Sequence, residues 1–184
     1  MLSMLENCER KMRKMRDSKK FTGPIKTEIK FVKLIPSLTI LGVVFLLDRL
    51  SKNYILDYFK KFDTEIVVND YLNFDLVWNS GVAFGFFSFN DTLAYHLMTL
   101  LISIIIIFLI FFFFKSNSRE KFFFALVIGG AMGNLFDRLI YFSVPDFIDL
   151  HYGEFHWFTF NIADIFITTG IICILFYEIF KKQA

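Results

Sequence analysis

The chain has 184 residues, of which 55% are apolar and 20% aromatic, with 27 Phe against 3 Pro, and its mean hydropathy is +0.53. A small sphere in water could not hide so much apolar surface, so lipid is the solvent for much of the chain. The same composition excludes a disordered chain, a collagen-like fibre and a disulfide scaffold (Cys8 and Cys173 are the only cysteines), and the net charge of +2 informs only through its distribution.

Residues 1–30 form a basic arm, read as a cytoplasmic juxtamembrane segment drawn to anionic lipid rather than as a nucleic-acid tail or cleaved leader, because no small-residue cleavage site follows the next apolar run. A first, short span is expected over about 31–50, with Lys33 snorkelling and Asp48-Arg49 ending it. Beyond it Leu72, Phe74, Leu76 and Trp78 alternate with Asn73, Asp75 and Val77, the period of a strand with one apolar face. That strand runs into residues 79–85, NSGVAFG, whose glycines permit turns and close approach. A small extracytoplasmic β element is therefore expected at the membrane surface, with Trp78 and Trp157 at headgroup depth.

The second span, about 92–114, carries no charge and is long enough to cross the hydrocarbon. The third, about 122–142, begins apolar and then admits Asn134, Asp137 and Arg138; the fourth, about 155–180, admits Asn161 and Asp164 near its start. The fold class that follows is membrane all-α: four transmembrane helices plus the β element, in a single domain over 31–184. Fifteen Lys and Arg fall on the side of the termini and five on the other, so both termini are expected in the cytoplasm.

Polar side chains inside a span are expensive and point to function. Gly129 and Gly133 have the spacing of close helix packing, while Asn134, Asp137 and Arg138 share a helical face. Asn161 and Asp164 repeat the theme, and a sixteen-residue loop with Pro145-Asp146, Asp149, His151, Glu154 and His156 joins the clusters. Asp48, Asp137, Asp146 and Asp164 can thus converge at the outer boundary. No metal or cofactor is expected: His151 and His156 lack the helical spacing of a zinc motif. No Ser or Cys is placed as a nucleophile. Carboxylates remain, either as a pair sharing a proton around a water or as the proton or cation path of a small transporter.

At these residues the chain resembles the bacterial lipoprotein signal peptidases, the type II signal peptidase family of four-span membrane aspartyl proteases. Five motifs stand in the family's order: residues 48–52 (DRLSK), 79–85 (NSGVAFG), 129–138 (GGAMGNLFDR), 144–147 (VPDF) and 160–164 (FNIAD). The resemblance implies an endopeptidase of the bacterial inner membrane, with its site at the periplasmic face, acting as a monomer without nucleic acid. Its partners would be membrane lipid and prolipoproteins, cut before a diacylglyceryl-modified cysteine. It implies Asp146 and Asp164 as the catalytic pair. Asn79, Gly81, Asn134, Arg138 and Asn161 would hold the substrate backbone and that pair, and Asp48, Lys52 and Asp137 would shape the pocket. Two features depart from the pattern: Pro145 stands where an aliphatic residue is usual, and the arm is long.

Spacing alone makes Asn134-x-x-Asp137 and Asn161-x-x-Asp164 look equivalent. Asp137, however, is next to Arg138 and within reach of Lys52, and neighbouring cations hold a carboxylate ionised. Asp146 follows Pro145 between Val144 and Phe147, with no adjacent cation, where desolvation favours the protonated acid.

Overall fold

A computed structural model describes residues 34–81 and 92–181. The basic arm, Cys8 and residues 82–85 of the second motif lie outside the described residues. In chain order the elements are helix α1 (Ile35–Phe62), strands β1 (Ile66–Asn69) and β2 (Leu72–Asn79), helices α2 (Thr92–Lys115) and α3 (Ser118–Tyr141), strands β3 (Val144–Tyr152) and β4 (Phe155–Phe160), and helix α4 (Ile162–Lys181). Three of these helices are long and apolar enough to cross a membrane: residues 93–115, 118–141 and 162–181. The exposed apolar side chains of α2 (Ile104, Phe108, Phe111) and α4 (Ile172, Leu175, Phe176) suit lipid rather than water.

Helix α1 does not stop at Asp48-Arg49 but continues to Phe62. The helix runs on past the end expected for the first span because Asp48, Arg49 and Lys52 are all buried with partners, so the charges need not leave the helix to reach water. Pro36 is accommodated in the first turn, where the helix needs no donor. The added length of α1 has a use. Ile55 joins Phe147 and Ile148 in a core against which Phe59, Phe74, Leu76 and Phe160 pack, so the end of α1 is the floor of the sheet.

The sheet is antiparallel in the order β1-β2-β3-β4. Strand β2 is the one expected from period-two alternation, and β1, which the sequence reading did not single out, pairs with it. The second half of the sheet replaces what reads in the sequence as a loop and the start of the fourth span. Residues 155–160 form a strand, and α4 begins only at Ile162. Aromatic and β-branched residues tolerate either state, and pairing with β3 decides for the strand. Gly153, at φ 58°, begins the two-residue turn that joins β3 to β4. At the other end of the molecule α3 starts four residues earlier than expected, because Asn117 caps it by accepting from the Arg119 and Glu120 amides, while the Asn117 amide is met by Glu120 in return.

Helix α3 is the centre of the packing, and its glycines set the distances. A Cβ on Gly129 would stand 2.8 Å from the Leu41 carbonyl oxygen of α1, and one on Gly130 would stand 2.6 Å from the Ala163 carbonyl oxygen of α4. A Cβ on Gly133 would meet the Asp48 carboxylate itself. The three small residues therefore let α1 and α4 pack closely onto adjoining flanks of α3 and bring their polar residues to one level.

Candidate active site

Two polar clusters meet at that level. In the first, Asp48 and Lys52 of α1 and Asp137 of α3 are completely buried. The Lys52 ammonium donates to Asp137 Oδ2 at 2.7 Å, to Asp48 Oδ2 at 3.0 Å and to Asn134 Oδ1 at 2.8 Å. Arg49 donates to both oxygens of Asp137, at 2.5 and 2.7 Å, and to Asp48 Oδ2 at 2.7 Å. Its guanidinium also lies 4.9 Å from the Phe136 ring centroid. Two carboxylates and two cations balance, and Asp48 Oδ1 also accepts from the Ala163 amide at the start of α4 at 3.2 Å.

Arg49 did not stand out in the sequence, where it reads as an outside positive charge. Of the two cations that the sequence offers Asp137, Lys52 does donate to it, whereas its neighbour Arg138 does not. Consecutive helical residues do not face each other, and Arg138 points elsewhere, donating to the Gly81 carbonyl oxygen at 2.5 Å. Tyr95 of α2 in turn donates to the Arg138 carbonyl oxygen at 2.9 Å. Arg138 thus anchors the strand end that carries Asn79. An unusual Asp-Arg pair inside an apolar run was the one signal that could have marked Arg49.

The second cluster holds Asp146 of β3 and Asp164 of α4, both buried. Asp146 Oδ1 accepts from Asn161 Nδ2 at 2.5 Å and its Oδ2 from Asn79 Nδ2 at 2.9 Å. Asn79 is held in turn by the Gly81 amide, which donates to its Oδ1 at 2.9 Å. Asp164 Oδ2 accepts from the Asn161 backbone amide at 3.1 Å, and its Oδ1 from Asn134 Nδ2 at 2.8 Å. Asn161 therefore bridges the two acids, one through its side chain and the other through its main chain. Among the described residues neither acid has a salt bridge. Burial raises the Asp146 carboxyl to about 6, and the Asp164 charge adds to the effect against the opposing hydrogen bonds from Asn79 and Asn161.

Of the ten residues that the family resemblance implies for the site, eight lie in these two clusters, and the other two, Gly81 and Arg138, support the second from behind: Gly81 holds Asn79, and Arg138 holds Gly81. A hollow of about 250 Å³, lined by Leu150, Phe158, Phe160, Ile165 and Thr168, opens onto Asp164. It is an apolar approach to one acid from the side of β4 and α4.

Fold and site together define a membrane enzyme whose polar machinery is made of carboxylates, amides and two cations. The family model described as Signal peptidase (SPase) II matches residues 40–180. A lipoprotein signal peptidase of Pelagibacter ubique (strain HTCC1062) is 48% identical over 145 residues, which cover 78% of this chain and 87% of the relative. One of Anaplasma phagocytophilum (strain HZ) is 38% identical over 151 residues, covering 82% and 96%. Two solved bacterial membrane enzymes, determined by the in meso method at 2.3 and 1.9 Å resolution, are also similar. The first has a TM-score of 0.63 at 28% identity, covering 80% of this chain and 89% of that one; the second has 0.60 at 29%, covering 78% and 92%. The chain belongs to the signal peptidase II family, which is a family of aspartyl membrane proteases and not of transporters.

Proposed function

We propose that Asp146 and Asp164 are the catalytic pair of an endopeptidase that cuts prolipoproteins before a diacylglyceryl-modified cysteine. The observation that carries this reading is the division of the acids. Asp48 and Asp137 are tied to Arg49 and Lys52, whereas Asp146 and Asp164 meet through Asn161 with no cation among the described residues bonded to either. A carboxyl titrating near 6 holds a proton that it can give up close to neutral pH. Asp146 donates that proton to the scissile carbonyl oxygen while Asp164 takes one from the attacking water. Collapse of the tetrahedral intermediate breaks the C–N bond, delivers a proton to the leaving amine and restores the single proton on the pair.

In this reading α1 is a fourth span and residues 31–184 are one membrane domain. Both termini lie in the cytoplasm and the acids at the periplasmic face of the inner membrane. The enzyme acts as a monomer, with membrane lipid as its surroundings and no nucleic acid or cofactor. The hollow beside Asp164 receives apolar substrate, and each buried methylene of the diacylglyceryl group adds about 0.8 kcal/mol to binding and helps hold the bond in register.

The test is turnover of one prolipoprotein peptide by purified enzyme, with and without the diacylglyceryl group on its cysteine. Cleavage immediately before the cysteine, far faster for the lipidated form, is expected. Equal turnover of the two forms overturns the lipid requirement, and unimpaired turnover by folded Asp146→Asn overturns the pair.

A further inference from the structure

Outside the acid pair, the β3–β4 hairpin gathers a second set of groups. The ladder pairs Asp149 with Thr159 and Leu150 with Phe158, then slips by one residue so that His151 faces His156. Without that slip Trp157 would stand opposite His151. The slip is a bulge, which re-aims side chains at a sheet position. Here it brings two imidazoles together, with ring centroids 5.3 Å apart and planes inclined by 31°. Asp149 is buried, and its Oδ2 lies 2.7 Å from His156 Nδ1.

One ligand atom from each of Asp149, His151 and His156 lies within 4.8 Å of the others. A tetrahedral zinc ion with bonds of about 2.0–2.1 Å sets its ligand atoms about 3.3 Å apart, so modest side-chain rotation closes the set. A second observation points the same way: His151 Nδ1 is buried and has no hydrogen-bond partner. A buried imidazole nitrogen without a partner is costly in a purely structural role and is a ready lone pair for a cation.

We propose that Asp149, His151 and His156 form a binding site for one divalent transition-metal ion of the zinc class. Two histidines and a carboxylate on the cation leave a fourth position for water, and the chelate fastens β3 to β4 across the bulge. The sequence spacing hides it, because His-x4-His is wrong for a helix face but right for two antiparallel strands joined by a two-residue turn. The site is separate from the acid pair, although Asp146 lies three residues before Asp149 on the same strand.

The experiment is zinc titration of the full-length protein, purified in detergent without a histidine tag. Calorimetry follows binding, and cobalt(II) substitution supplies a visible spectrum sensitive to tetrahedral ligation. Wild type should bind one zinc ion and show a raised melting temperature. His156→Ala, altered at a side chain that is 57% exposed and so tolerant of change, should bind at least about tenfold more weakly and lose the melting shift. His151→Gln should do the same, whereas Asp146→Asn should bind zinc like wild type. Absence of saturable binding to wild type overturns the site. So does full binding by His156→Ala, or loss of binding in Asp146→Asn with retention in His156→Ala, which would put the ion on the acid pair.

Discussion

The two carboxylate clusters are built from the same residue types and differ in what surrounds them. Asp48 and Asp137 are buried with Arg49 and Lys52 in a balanced network made by helices alone. Asp146 and Asp164 are buried with asparagines, and one of them comes from a strand. A cation removes the proton a carboxyl could use, while an amide fixes its position and leaves the proton available. Burial with compensation makes a scaffold; burial without it suits acids that exchange protons, the role proposed for Asp146 and Asp164. Asn134 joins the two, accepting from Lys52 through Oδ1 and donating to Asp164 through Nδ2, so the cation fixes which way the amide faces.

The largest expected effect breaks the comparison on the reactive side. Asp146→Asn and Asp164→Asn should each remove at least about 10³-fold of turnover with the fold intact, since each loses a proton-transferring group. Asp137→Asn should act first on stability; a folded, fully inactive Asp137→Asn alongside an active Asp146→Asn would reverse the roles. On the scaffold side, Lys52→Met leaves two buried carboxylates with one cation. It should cost about 3–5 kcal/mol of stability, read as a lowered melting temperature in detergent. Adding Asp137→Asn to Lys52→Met should recover part of that loss, because the surviving charges balance again.

The next effect is a pH dependence that only the reactive side should show. The Asp146 carboxyl sits higher in the folded protein than in the unfolded chain, so folding takes up a proton between about pH 4 and about pH 6. Its contribution to stability is present at the acid end and lost as pH rises through about 6. Asp146→Asn lacks this loss. Between about pH 4 and pH 8 the stability difference should move in the variant's favour by something of the order of 2–3 kcal/mol, measured as paired melting curves. A pH-independent difference would contradict the raised acid. The smallest effect is at the bridge: Asn134→Ala should lower turnover by roughly tenfold to a hundredfold, through one charge-assisted hydrogen bond lost to Asp164, with a smaller change in melting temperature.

Composition and local spacing were enough to establish a membrane chain, the uncharged second span and a strand at residues 72–79. The polar residues at 134, 137, 161 and 164 stood out because nothing else accounts for them inside apolar runs, and the order of five short motifs pointed to the family. Long-range contacts decided the rest. Helix α1 passes through Asp48-Arg49 because Asp137, 88 residues from Arg49, receives its guanidinium. Residues 155–160 are a strand because β3 offers them hydrogen bonds, and Asp137 takes Arg49 instead of Arg138 because Gly129 and Gly133 let α1 approach. Hydrophobicity and helical period are carried by neighbours along the chain and can be read there. The partner of a buried charge is whichever group packing brings within 3 Å, and that is a property of tertiary structure alone.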